Sequence, residues 1–192
     1  MLHSSWKKGL SIASIAVLTT AALIMAGCGG AKQASQADVI KLGANLEMTG
    51  GSATFGQSAT NGAKLAIKEV NAKGGVVGKQ LTLVVADNKS EAAESANAMQ
   101  KLVSQDKVVA VIAPIASSSV IAAAQVNQES KVPAISPTAS NPKVTVDPAT
   151  GKVRDFIFRA AFIDPFQGSV MANFAQKSLK AKTAALYIDK SS

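Results

Sequence analysis

The sequence predicts an α/β fold: a doubly wound parallel sheet with helices on both faces. Three observations predict it. From Val39 onward, short apolar runs alternate with segments whose apolar residues recur at helical spacing. The run Val108 to Ala113 is apolar without a break, as in strands covered on both faces. Gly74-Gly75 closes one helical segment, and Pro137 opens a loop after an apolar run.

The elements follow in order. Val39 to Leu46 reads as a strand, and Thr49 to Gly56 as a loop of Gly, Ser and Thr. Gln57 to Lys73 reads as a helix, with Ala63, Ile67 and Val70 on one face beside Ala59 and Ala66, and Gly74-Gly75 closes it. Gln80 to Asp87 is a strand. Ser90 to Asp106 is a helix with Ser90 as N-cap and Glu91 and Glu94 in its first turn, where the helix dipole favours acids. After the strand Val108 to Ala113 come a helix, Ser117 to Ser130, and a strand, Val132 to Ser136. Pro137 to Asp155 is an excursion, Phe156 to Ala160 a short strand, Pro165 to Lys180 a helix and Thr183 to Asp189 a last strand. Repeated βαβ units of this kind build a parallel sheet.

Composition bounds the chemistry. Of the 192 residues, 47% are hydrophobic and 17% charged, enough apolar matter for a packed core. The net charge of +8 falls to +6 without Lys7 and Lys8, leaving 18 basic against 12 acidic residues. These charges are scattered, with none of the dense basic runs of nucleic-acid binders, and read as a solvated surface. Attraction to an anionic membrane surface is the alternative. The single Cys28 permits no internal disulfide, and the single His3 lies in the amino-terminal leader. Without His or a second Cys, the remaining chain builds no Ser-His or Cys-His nucleophile and no common zinc site.

The amino terminus reads as an export signal. Lys7-Lys8 form a basic region, Leu10 to Ala26 an uncharged apolar region, and Met25-Ala26-Gly27-Cys28 a small-residue end. Residues 1–27 are expected to be a lipoprotein signal peptide and 28–38 a flexible tether. The Met25 to Cys28 stretch resembles the lipobox of bacterial lipoproteins, which implies a diacylglycerol on Cys28. An uncleaved membrane span is the other reading of the same residues, since roughly 20 apolar residues suffice.

Three loops at the carboxyl ends of predicted strands are candidate binding elements, because open parallel sheets bind ligands there. They are Glu47 to Gly56, Pro114 to Ser119 and Ser136 to Pro142. The second leads into a helix whose first N–H groups lack intrahelical partners, with Ser117 as N-cap; a carboxylate there would meet N–H, hydroxyl and dipole together. The third offers the hydroxyls of Thr138 and Ser140, and carbonyls suited to an ammonium group. Phe55 in the first could cover a side chain. Read alone, each loop is equally a cap, a turn or simple packing. Enzyme motifs fail: Gly74 to Gln80 is one residue short of a P-loop and has Gln80 in place of Ser/Thr. The two Ser-x-x-Lys spacings, Ser104 to Lys107 and Ser140 to Lys143, lack the other elements of that enzyme class. Asp87 reads as a loop cap rather than a ribose ligand. No enzyme, cofactor or metal is expected.

Several stretches together resemble a known family. They are Ile40 to Gly50, Phe55-Gly56 through Ala63, Ile67 to Gly78, Ser117-Ser118-Ser119, Ile135-Ser136-Pro137 with Ser140-Asn141-Pro142, and Arg159 with Gln167-Gly168. They are similar to the leucine/isoleucine/valine-binding proteins of ABC transporters, with the type I periplasmic binding fold. The resemblance implies that Ser117 binds a ligand carboxylate and that Ser140 contacts the same end. Thr138 and Ala139 would give main-chain contacts, Thr138 its carbonyl to the ammonium. Ile115, Ala116 and Phe55 would flank the side chain. It implies an extracytoplasmic receptor for branched-chain or related amino acids, held to the membrane through Cys28, outside the cell membrane or in the periplasm, and served by permease and ATPase subunits. Family members are roughly twice as long, so residues 39–155 are expected to form the first lobe and 156–192 the truncated start of a second. A chain so cut is expected to bind amino acids weakly or not at all. An anchored ligand sensor, or a non-functional fragment of such a receptor, remains the alternative function.

Overall fold

A computed structural model describes residues 39–188. Five strands, β1 (Val39–Leu46), β2 (Gln80–Asp87), β3 (Ala110–Ile112), β4 (Ala134–Ser136) and β5 (Ile157–Arg159), form one sheet in the order β2-β1-β3-β4-β5, and every pair is parallel. Helices α1 (Ala53–Ala72), α2 (Ala92–Ser104) and α3 (Ser117–Ser130) connect the first four strands, and α4 (Asp164–Lys177) follows β5. The strand order reverses between β1 and β3. Right-handed crossovers therefore put α1 on one face and α2 and α3 on the other. The doubly wound α/β fold read from the sequence is the fold observed.

The core lies on the α2/α3 face. Val111, Ala134 and Ile157, in register across β3, β4 and β5, pack with Met99, Leu102, Val120, Ala123 and Ala124. The alanines let α2 and α3 approach closely, which is the use of the small side chains in this sequence. The other face is covered unevenly. α1 lies over β1 and β2, and the Asn71 side chain pairs with both backbone groups of Leu81 at 2.7 and 2.8 Å. Farther along, Ile135 and Phe158, paired on β4 and β5, are 47% and 49% exposed.

Several expectations are corrected. α1 starts at Ala53, four residues early, so Phe55 sits in its first turn and not in a loop. The reason is Gly56: a Cβ there would lie 2.0 Å from the Glu47 carbonyl oxygen, so only glycine lets this turn dock on the end of β1. Ser90 is not a helix cap; α2 has Glu91 as N-cap, and Ser90 lies in the left-handed region at φ 63°. The apolar run from Val108 is not covered on both faces, since Val109 is 56% exposed. β5 pairs with β4, so Ile157–Arg159 belongs to the same sheet as β1 to β4. The strand expected over Thr183 to Asp189 is not seen: residues 183–188 carry no strand. Residues 1–38, expected to hold the signal peptide, Cys28 and the tether, and Asp189 of the expected last strand, lie outside the described residues.

Candidate functional site

The three loops meet at the carboxyl ends of β1, β3 and β4, beside the reversal in strand order. Each is held by side chains that the apolar pattern does not reveal.

The first loop is gripped by the turn after β2. The Asp87 carboxylate accepts from the N–H groups of Met48 (3.0 Å), Thr49 (3.1 Å) and Lys89 (2.8 Å) and from the Thr49 hydroxyl (2.7 Å). Partial burial pushes this carboxyl up. The Thr49 hydroxyl and the three N–H groups outweigh that and hold it below its ordinary value. Asp87 is thus the loop cap that its position suggested. Ser90 adds to the grip, donating to the Thr49 carbonyl at 2.8 Å and accepting from the Ser52 N–H at 3.1 Å.

The second loop is set by Glu47. Its carboxylate is fully buried and accepts from the Ile115 N–H at 3.0 Å and the Ala116 N–H at 3.1 Å. The N-cap of α3 is Ala116, not Ser117, and Glu47 supplies the missing side-chain cap from 69 residues away. Below it, Asn45 donates to Ser95, and the Ser95 hydroxyl donates to the Ser119 carbonyl at 2.9 Å, tying β1, α2 and the first turn of α3 together. The sequence signal for this network is a polar Asn45 and Glu47 at the end of an apolar strand.

The third loop is stitched to the second. Ser136 donates to the Pro114 carbonyl (2.7 Å), Thr138 to the Ile115 carbonyl (2.9 Å), and the Ser117 hydroxyl accepts from the Asn141 N–H (3.3 Å). Arg159 braces the loop from β5, donating to the carbonyls of Ala139 (3.2 Å), Asn141 (2.9 Å) and Pro142 (3.4 Å) and to the Thr145 hydroxyl (2.6 Å).

Ile115, Ala116, Ser117, Thr138, Ala139 and Ser140 are therefore brought together. Ser117 and Ser140 are half-buried and Thr138 is exposed, while the Ala139 side chain is buried. Phe55 is 64% exposed on the neighbouring turn of α1. Among the described residues, the N–H groups of Ser117, Ser118 and Ser140 and the carbonyl of Thr138 have no protein partner. Both main-chain groups of Ala139 are bonded, to Ser136 and Arg159. These loops thus carry main-chain donors and an acceptor left unpaired within the protein, and among the described residues no His/Cys/Asp/Glu cluster gathers to hold a metal.

Residues 39–192 match the model of the family described as periplasmic binding protein. The chain belongs to the periplasmic binding protein family. An amino acid binding protein of Pseudomonas aeruginosa is 36% identical over 169 residues, 88% of this chain and 44% of the relative. A leucine-specific-binding protein of Salmonella typhimurium is 32% identical over 158 residues, 82% and 41% of the two chains. Among solved structures, the branched-chain amino acid transporter substrate-binding protein of Streptococcus pneumoniae, in complex with isoleucine, superposes with a TM-score of 0.69 and 41% identity. That match covers 75% of this chain and 40% of the other. The chain spans less than half the length of these binding proteins.

Proposed function

We propose that this chain forms one wall of the ligand cleft of an extracytoplasmic solute-binding protein, which captures a branched-chain or related amino acid for an ABC importer without catalysis. The observation that carries the reading is the set of unpartnered main-chain groups on the second and third loops. The Ser117, Ser118 and Ser140 N–H groups and the two serine hydroxyls suit a carboxylate at a helix N-terminus. The Thr138 carbonyl suits an ammonium. Ala139 walls the seat and offers the second lone pair of its carbonyl. Ile115, Ala116 and Phe55 flank an apolar side chain. The relatives' names and the isoleucine in the pneumococcal structure support the ligand class.

The opposite wall belongs to a second lobe. Closure of two lobes excludes water and creates the shape a permease reads. The permease and ATPase subunits are the proposed partners. Export with a lipid on Cys28 rests on the residues alone: a basic start, an apolar run and a small-residue end before the cysteine. Labelling with a palmitate analogue, lost on Cys28→Ser, tests the anchor.

The test of binding is a titration of isoleucine, leucine and valine into the ¹⁵N-labelled chain. Saturable shifts at the Ser117 and Ser140 amides are expected, weak because one wall binds alone, and lost in the Ser117→Ala/Ser140→Ala double variant. Shifts that do not saturate, or that survive in the double variant, sink the reading. Reading the gene past codon 192 comes first. A frame that continues into further βα units moves the same titration to the longer chain.

A further inference from the structure

Glu47 has no role in the proposed amino-acid contacts, yet it is the buried acid next to them. Both of its oxygens accept N–H bonds, from Ile115 and Ala116. Among the described residues no Lys or Arg forms an ion pair with it. Its counter-charge is the amino end of α3, equivalent to roughly half a positive charge. The first anion seat of that helix, at Ile115 and Ala116, is therefore occupied from within. A ligand carboxylate is displaced to the next donors, Ser117 and Ser118. Charged side chains that bond these loops are Glu47 and Asp87 on one side and Arg159 on the other, so the seat as a whole is close to neutral or negative.

We propose that Glu47 is a specificity-determining residue: it fills and neutralises the amino end of α3, so that the seat accepts zwitterions and rejects bare anions. The proposal rests on the amino-acid reading for its biological use, but the electrostatics of the seat are measurable without it. Within the fold Glu47 is also a joint. Its backbone meets Gly56 of α1, while its side chain holds the second loop, so both loops are indexed to one residue.

The experiment titrates acetate into the ¹⁵N-labelled chain as wild type, Glu47→Gln and Glu47→Ala. Removing one charge a few ångströms away is expected to tighten acetate binding at the Ile115 to Ser118 amides by about tenfold in both variants. Glu47→Ala leaves a carboxylate-sized space against two unpaired N–H groups. Formate is therefore expected to raise its Tm, or to restore its folded circular-dichroism signal if the variant is unfolded, with no such effect on wild type. Equal acetate responses in all three proteins overturn the proposal, and so does a formate-insensitive Glu47→Ala. An isoleucine titration reads the other question separately. Acetate and formate effects as expected, with no isoleucine response, leave Glu47 as stated and sink the amino-acid reading. An isoleucine response with acetate binding independent of Glu47 does the reverse.

Discussion

Arg159 on β5 donates to the carbonyl of Asn141 at 2.9 Å, reaching under the loop that carries Thr138 and Ser140. Its other bonds go to Ala139, Pro142 and Thr145, so one guanidinium braces the carboxyl-terminal half of the third loop. Arg159→Met keeps much of the apolar stem and removes every donor. It is expected to cost about 2–4 kcal/mol in urea unfolding, since part-buried carbonyls lose a charged partner. Amide exchange should quicken across residues 137–145. Exchange that quickens evenly over the whole chain would show that Arg159 does not act on this loop.

Asp87 gives the chain an acid-sensitive joint. Its folded-state pKa lies below its unfolded value. The stability it contributes is therefore fully present above the unfolded pKa and is lost as pH falls through the folded one. The effect is complete above roughly pH 5 and fades below about pH 4. Urea midpoints measured from pH 6 to 3 should fall less steeply in Asp87→Asn than in wild type. Parallel curves would mean that the carboxylate is not held by Thr49.

Two glycines of α1 should answer oppositely to alanine. At Gly56 the new Cβ would lie 2.0 Å from the Glu47 carbonyl oxygen, so α1 must move, at a cost of about 3 kcal/mol. At Gly62 nothing lies within 4 Å, and better helix propensity should stabilise by about 0.5–1 kcal/mol. Thermal melts of Gly56→Ala and Gly62→Ala check both. Equal melting points would remove the argument that Gly56 docks α1 on β1.

The uncovered part of the sheet should make the chain associate. Ile135 and Phe158 lie side by side, half exposed, and Phe166, Val170 and Phe174 on α4 are exposed at helical spacing. Sedimentation velocity is expected to show concentration-dependent species, reduced in Ile135→Thr/Phe158→Thr. A monomer at all concentrations would mean that this face is covered in solution.

Much of the fold is written locally. The alternation of strand and helix patterns, the unbroken apolar strand core and the Gly74-Gly75 stop depend on residues near each other in sequence, and period and breaker signals carry them. The candidate loops followed from the same logic, because in open parallel sheets ligands bind at the carboxyl ends of strands. What stayed hidden depends on residues far apart. Glu47 caps a helix 69 residues away, Asp87 grips a loop 38 residues back, and Ser117 meets Asn141 rather than capping its own helix. No periodicity encodes such pairs, since a polar residue in an apolar strand looks like a flaw until its partner is in place.

The sequence by itself determined the layer architecture, the strand ends at which the loops lie and the family resemblance, because these are properties of local pattern and of motif. Only the tertiary structure decided which hydrogen-bond donors remain free, where α1 begins and to which sheet the fifth strand belongs. Those outcomes are settled by long-range pairing, in which each buried polar group takes the partner the packed chain brings to it.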